Sequence, residues 1–301
     1  MIHKLTLLSL AAALLCAAAL PAAADPQITK TNPATAKAAT PLKLVLSGPL
    51  GAEQAKKDGR AVANALSAAL ARPVEFEVVP AADLPGILAS GKADIGWLTA
   101  LEYIAAEKAS NGKIQPVAKA LHAGLPFYRS VLFTSKKNKQ ILTPADLKGK
   151  KLAFVSETSA AGYVIPHAAL LRAGLTEAEI KANGTFLGDH AAVCKAVADG
   201  TDAAGATLSN DKAGGQIAGC AETLGKQVSE LKVLSISDPI PNDVFALKPD
   251  SSSEDFAALR AALIDLDKSA DGKKTLAEHL HSEGFIPAED GDFAPLRESM
   301  K

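Results

Sequence analysis

Few stretches of this chain carry side chains whose types and spacing suit chemistry. The run Ser156-Glu157-Thr158-Ser159 follows an apolar stretch, Lys151 to Val155, and passes through Ala160-Ala161-Gly162 into a helical pattern. A hydroxyl-rich turn that opens a helix presents unpaired backbone N–H groups and the positive end of the helix dipole, which holds an anion without a fixed cation. Ser and Thr also cap helices for purely structural reasons, so the turn taken alone supports both readings. His279 and His281, two apart on an expected helix, point to different faces. That spacing makes a poor metal pair and places both in solvent. Of the three cysteines, Cys16 falls in an apolar N-terminal run, leaving Cys194 and Cys220. In an oxidising compartment this even pair is most simply a disulfide, two buried free thiols being the alternative. A paired cysteine can serve as neither nucleophile nor metal ligand. The sequence has no G-x-S-x-G elbow, no H-E-x-x-H, no Walker loop and no G-x-G-x-x-G after a strand. The expectation is therefore no catalytic residue, no cofactor and no metal.

The elements that must position these residues begin after a leader. Lys4 precedes an apolar run from Leu5 to Leu20, and Ala22-Ala23-Ala24 forms an A-x-A site before Asp25. This is the layout of a secretory signal peptide, residues 1–24, with cleavage expected after Ala24 and a periplasmic destination. The run is short for a bilayer span. Residues 25–40, rich in Thr, Ala and Pro, read as a flexible lead-in. Charge is nearly balanced, 32 Lys plus Arg against 33 Asp plus Glu, which argues against a broad basic surface for nucleic acid.

Folded structure is expected from Leu42 to Leu46, a strand that runs into the loop Ser47-Gly48-Pro49-Leu50-Gly51. Val62, Leu66 and Leu70 mark an amphipathic helix, and Val74 to Val78 alternates apolar and charged residues as a half-buried strand. A helix over Leu84 to Ala89, a strand over Ile95 to Leu98, a helix around Glu102 to Lys108 and a strand over Val117 to Leu121 complete one β-α-β series. The alternation restarts with strands at Val131 to Phe133 and Lys151 to Val155, helices at Ala160 to Ala173 and His190 to Ala198, and strands at Ala203 to Thr207 and Lys232 to Ile236. This order predicts an α/β protein with mixed, mostly parallel sheets in two lobes and a ligand cleft between them. Residues 41–129 and 242–301, with the C-terminal helices, form lobe 1, and residues 130–241 form lobe 2.

Several segments in order resemble the periplasmic binding proteins of phosphonate and phosphite ABC transporters. They are Gly91-Lys92-Ala93-Asp94-Ile95-Gly96, Tyr128-Arg129-Ser130, Asp146 to Phe154, Gly162-Tyr163-Val164-Ile165-Pro166, Gly188-Asp189-His190, Gly200 to Ala204, and Pro239-Ile240-Pro241-Asn242-Asp243. The resemblance implies a type II periplasmic-binding-protein fold whose two lobes close on a small oxyanion, a phosphonate, phosphite or relative, for delivery to an ABC permease by a monomeric receptor. A periplasmic sensor for a membrane histidine kinase, or an enzyme on the same fold, are the alternatives. Family members commonly grip the phosphonyl group with a Ser-Thr-Ser-Gly turn. Ser159 matches the first Ser and Gly162 the Gly, while Ala160 and Ala161 replace the two hydroxyl residues between them, which leaves the backbone N–H groups, with Ser156 or Thr158 as candidates to compensate. His190 matches a ligand-facing histidine, with helix capping beside Asp189 as the other reading. Tyr128 either packs on the ligand or belongs to the core, and Asp243 either pairs with a ligand amine or caps the hinge turn with Asn242. Ser47, Leu50 and Thr99 are expected to face the same cleft.

Overall fold

The computed structural model describes residues 40–47, 52–211 and 215–300. The signal segment, the lead-in up to residue 39 and Leu50 lie outside the described residues. Strands β1 (Leu42–Leu46), β2 (Val74–Val78), β3 (Ile95–Leu98) and β4 (Gln115–Ala120) alternate with helices α1 (Ala52–Leu70), α2 (Leu84–Ala89) and α3 (Ala100–Ala109). After β5 (Phe127–Ser135) and β6 (Leu152–Phe154) come a π-helical turn at Ala160–Val164 and the helices α4 (Ile165–Arg172) and α5 (Glu177–Asn183). Then follow β7 (Gly184–Phe186), α6 (His190–Asp199), β8 (Ala204–Ser209), α7 (Ala218–Leu224), β9 (Leu231–Ile236), β10 (Ile240–Pro241) and β11 (Val244–Leu247). The chain ends in α8 (Ser253–Ile264), α9 (Ala270–Thr275), β12 (Phe285–Pro287) and α10 (Ala294–Ser299).

The strands form two six-stranded sheets. One runs β12-β4-β11-β3-β1-β2, and the other β10-β5-β8-β6-β7 with β9 beside β5. Both sheets are mixed, as expected, with parallel pairing less extensive than the expectation of mostly parallel strands. Parallel pairing is confined to the β-α-β units, β1 with β2 and β3, and β6 with β7 and β8. The strands that enter from the opposite sheet, β5 and β11, run antiparallel to their neighbours, as does β12. Parallel neighbours need a long connection, usually a helix, which the β-α-β units supply and the short crossings between the sheets do not.

Side-chain alternation assigns the faces. Leu42, Leu44 and Leu46 pack into one cluster with Val62, Leu66, Leu259 and Leu263, whereas Val45 points the other way, among Leu84, Leu88, Leu98 and Tyr103. In the second sheet Val131 and Phe133 join Val193 and Val197 of α6, and Leu132 joins Leu152, Phe154 and Leu170. A fully buried leucine or phenylalanine contributes about 1.5–3 kcal/mol, so these layers dominate the stability.

The chain crosses between the sheets twice, from β4 to β5 and from β10 to β11. Asn242 binds one crossing to the other: its side-chain amide donates to the carbonyls of Ala120 at 3.0 Å and Leu125 at 2.8 Å, and its backbone N–H donates to Pro126 O. At 2% exposure it is a buried brace of the two crossings. The histidine pair departs from expectation. His281 is exposed, but the His279 side chain is only 9% exposed, with Nδ1 2.9 Å from Asp58 Oδ1 on α1. That partner lies far away in sequence, and a helix-face argument does not reach it.

Candidate functional site

Ser47, Thr99, the turn from Ser156 to Ser159 and His190 stand just beyond the carboxyl ends of parallel strands, where open α/β sheets leave a crevice. From the first sheet come Ser47, directly after β1, and Thr99, directly after β3. Thr99 caps α3 reciprocally. Its Oγ1 accepts the N–H of Glu102 at 3.3 Å while Glu102 Oε2 accepts the N–H of Thr99 at 2.7 Å. The second carboxylate oxygen of Glu102 accepts from Ser47 Oγ at 2.9 Å. Ser47 and Thr99 therefore hold a carboxylate in place, and the group they present is Glu102. Sequence reasoning passed over Glu102, although Thr99-Ala100-Leu101-Glu102 carries the spacing of a capping box.

Asp243 lies within the field of Glu102. Burial first, and then the Glu102 charge, push its carboxyl up to about 7. Tyr128, half-buried on β5 and paired with Ile240 of β10, neighbours Asp243 in turn. Its phenol is pushed well above the usual range by burial and then by that carboxylate. Asp243 and Ser47 also line a cavity of about 170 Å³ with Trp97, His122 and His279. This wall carries two carboxylates. Arg129, next along β5, donates to Ser237 O at 2.7 Å and stacks its guanidinium over Phe127.

The second sheet supplies the turn after β6. Ser159 caps it, accepting Gly162 N–H on Oγ at 3.0 Å, and its carbonyl accepts from Tyr163 and Val164. Its hydroxyl is thus engaged as a helix cap, the structural reading of the turn. The anion-holding reading passes to the first backbone N–H groups of the turn, those of Ala160 and Ala161, the orphan donors of a helix start. Gly162 is required by close approach, since a Cβ there would fall 2.4 Å from Val155 Cγ2. The hydroxyls of Ser156 and Thr158 lie 3.4 Å apart at the rim.

Backbone pairing brings His190 to the same place. Gly188 N–H donates to Val155 O at 2.9 Å, which sets the start of α6 beside the end of β6. Asp189 caps α6 through Ala192 N–H at 2.7 Å, leaving the imidazole of His190 free of the capping role. Its Nδ1 lies 2.9 Å from Thr207 Oγ1, and burial holds its basicity below the ordinary value against the opposing pull of Asp189. Four helical residues on from His190, Cys194 forms a disulfide with Cys220, Cα to Cα 5.3 Å, clamping α6 to α7.

Tyr128 joins the two groups, since it packs with Ala160 and Leu208 against one apolar cluster that also buries Ala161 and Ile165 with Val45 and Leu98 of the first sheet and Tyr103 of α3. Small residues at positions 160 and 161 permit this contact, and Ser130 Oγ seals it by donating to Ala161 O at 2.8 Å. The arrangement therefore offers backbone N–H groups and an imidazole, which suit an oxyanion, and, on the other side of Tyr128, carboxylates, which suit a cation. Among the described residues no cluster of three or more His, Cys, Asp or Glu side chains is arranged to hold a metal.

Comparison with known proteins agrees with this architecture. A family model described as the periplasmic substrate-binding protein of phosphonate ABC transporters matches residues 51–293. The phosphate-import protein PhnD of Mycolicibacterium smegmatis is 28% identical over 142 residues, a match that spans 44% of each chain. The fold recurs in a protein of Xanthomonas citri bound to chloride (TM-score 0.67, 18% identity, 86% of this chain and 96% of that one). It recurs in PhnD1 of Prochlorococcus marinus in complex with methylphosphonate (TM-score 0.62, 21% identity, 86% and 96%). A binding component of an ABC phosphonate transporter from Pseudomonas aeruginosa shares it as well (TM-score 0.60, 20% identity, 86% and 85%).

Proposed function

This chain belongs to the periplasmic substrate-binding proteins of phosphonate ABC transporters, and on that footing we propose that it captures an amine-bearing phosphonate between two lobes and presents it to a membrane permease. The observation that supports this reading is the position of Tyr128, which packs with Ala160 against one apolar cluster and neighbours Asp243, so that the two poles flank one side chain. The N–H groups of Ala160 and Ala161, with the imidazole of His190, take the phosphonyl oxygens, and Asp243, backed by Glu102, takes the ammonium group. Tyr128 packs on the carbon chain between them. The two hydroxyls absent at Ala160 and Ala161 weaken the anionic pole, and the carboxylate pole compensates for a zwitterion but not for a simple anion. Phosphate and phosphite, which have no cation to offer Asp243, bind more weakly.

In this reading the secreted chain begins at Asp25 and works as a monomer. Residues 41–129 and 242–301 move against residues 130–241 about the two crossings that Asn242 braces. Ligand touches both lobes, so it favours the closed form by its differential affinity for it, and the closed form is what the permease recognises.

The test is a thermal-shift panel on the purified chain against 2-aminoethylphosphonate, methylphosphonate, phosphate, phosphite and sulfate. A ligand that binds only the folded state raises the melting temperature. The largest shift is expected with 2-aminoethylphosphonate, and a larger one with phosphate or sulfate would overturn the assignment of the carboxylate pole.

A further inference from the structure

The two ring nitrogens of His190 have different environments, and one of them is fixed by a residue outside the ligand contacts. Thr207 on β8 is fully buried, and its Oγ1 sits 2.9 Å from His190 Nδ1. A buried hydroxyl left without an acceptor is costly, so its proton must be placed. Among the described residues the acceptor within hydrogen-bond distance of Thr207 Oγ1 is His190 Nδ1. The direction of the bond follows: Thr207 donates, and Nδ1 is the bare nitrogen. A ring with a bare Nδ1 carries its single proton on Nε2, and burial acts in the same direction by lowering the basicity of the imidazole.

Thr207 is itself held from the far side. Gly219 approaches it so closely that a Cβ at that position would lie 2.1 Å from Thr207 Oγ1. Gly219 immediately precedes Cys220, and the disulfide from Cys220 returns to Cys194 on the helix that carries His190. The histidine, its partner and the residue covering that partner thus form one cross-linked piece.

We propose that Thr207 is a positioning residue that locks His190 in the tautomer with its proton on Nε2, so that the ring donates to the ligand and cannot accept from it. This rests on His190 meeting the ligand as described under the proposed function. A ring that only donates favours a fully ionised oxygen over a protonated P–OH, adding selectivity at the anionic pole beyond what the orphan N–H groups provide.

The tautomer is read without ligand, from long-range ¹H–¹⁵N spectra of the uniformly labelled full chain, with His190 signals assigned by their loss in His190→Ala. The wild type is expected to show the Nε2–H form, Thr207→Val and Thr207→Ala a mixture of tautomers, and Thr207→Ser the wild-type pattern. Thr207→Ala adds no atoms beside Gly219, so it reports even if the valine variant misfolds. Calorimetric titration with 2-aminoethylphosphonate should show about tenfold weaker binding for the hydroxyl-free variants and recovery in Thr207→Ser. A wild-type proton on Nδ1, or hydroxyl-free variants that keep the wild-type tautomer or affinity, overturns the proposal. If the wild type itself fails to bind 2-aminoethylphosphonate, the ligand assignment falls, and the spectra alone decide the tautomer lock.

Discussion

Ser47 Oγ donates to Glu102 Oε1 across 2.9 Å, tying the end of β1 to the first turn of α3. The other oxygen of Glu102 is engaged by Thr99 N–H, so the carboxylate is fixed where its charge raises Asp243 to about 7. Glu102→Gln preserves the shape of this cap and removes the charge. The Asp243 midpoint, followed by carboxyl ¹³C shifts, should fall in the variant. It should still stay above the ordinary aspartate range, because burial is the larger cause. An unchanged midpoint would mean that Glu102 does not act on Asp243.

Asp243 should also make the ligand-free protein less stable in alkali. Its folded pKa of about 7 lies above the ordinary value of 3.8, so between those limits the folded state binds more protons than the unfolded chain. Its contribution is therefore fully present below the ordinary value and is lost as pH rises through about 7. Asp243→Asn is expected to stabilise the protein by roughly 4 kcal/mol at about pH 8 and to change little at about pH 4. Urea unfolding at the two pH values checks this, and equal effects at both would exclude a raised Asp243.

What the sequence revealed and what it hid divide by distance along the chain. The period-2 pattern of Leu42, Leu44 and Leu46 against Val45 was legible because a strand's two faces are written in adjacent residues. The turn at Ser156 to Gly162 was legible for the same local reason. The anchoring of Glu102 by Ser47 was not, since the two lie 55 positions apart. His279 was read as solvated because its partner Asp58 is 221 positions away. The helix α5 and the strand β7 were missed, being short and largely polar, although Thr176 and Glu179 carry a capping box that marks where α5 starts. Ser159 was singled out in the sequence, but its type could not tell a donor for ligand from the acceptor for Gly162 N–H that the structure shows.

Gly162→Ala tests how tightly the turn is built. A Cβ at 2.4 Å from Val155 Cγ2 and 2.8 Å from Ser159 Oγ must displace both, opening the helix start that offers the Ala160 and Ala161 N–H groups. Overpacking of this kind costs roughly 1–3 kcal/mol. Denaturant unfolding should show that loss, and ligand affinity should fall with it. A variant with native stability and native affinity would remove the turn from the site.

The disulfide predicts a separate stability effect. Cys194 and Cys220 close a loop with a sequence separation of 26, for which loss of the cross-link costs roughly 3 kcal/mol. Replacing both with alanine should lower the denaturant midpoint accordingly, and because α7 then loses its tether to α6, the tautomer signal of His190 should broaden. Unfolding measured with and without reductant on the wild type gives the same comparison without mutation.

The carboxylate pole makes the ligand itself a pH probe. Ethylphosphonate has the carbon skeleton of 2-aminoethylphosphonate without the amine, so the ratio of their affinities isolates the ammonium contact and largely cancels the ionisation of the phosphonyl group. Asp243 attracts an ammonium only as a carboxylate, and with a free-protein value of about 7 it is progressively protonated as pH falls through neutrality. Binding the amine then requires expelling that proton, at a cost of about 1.4 kcal/mol for each pH unit below the free value. The ratio should therefore fall by at least about tenfold between pH 8 and pH 5 in the wild type. In Asp243→Asn it should be low and flat, because the group whose protonation the ratio follows is gone. Calorimetry across this range settles the matter: a wild-type ratio that does not move with pH would place the amine away from Asp243 and leave Glu102 as the charge it meets.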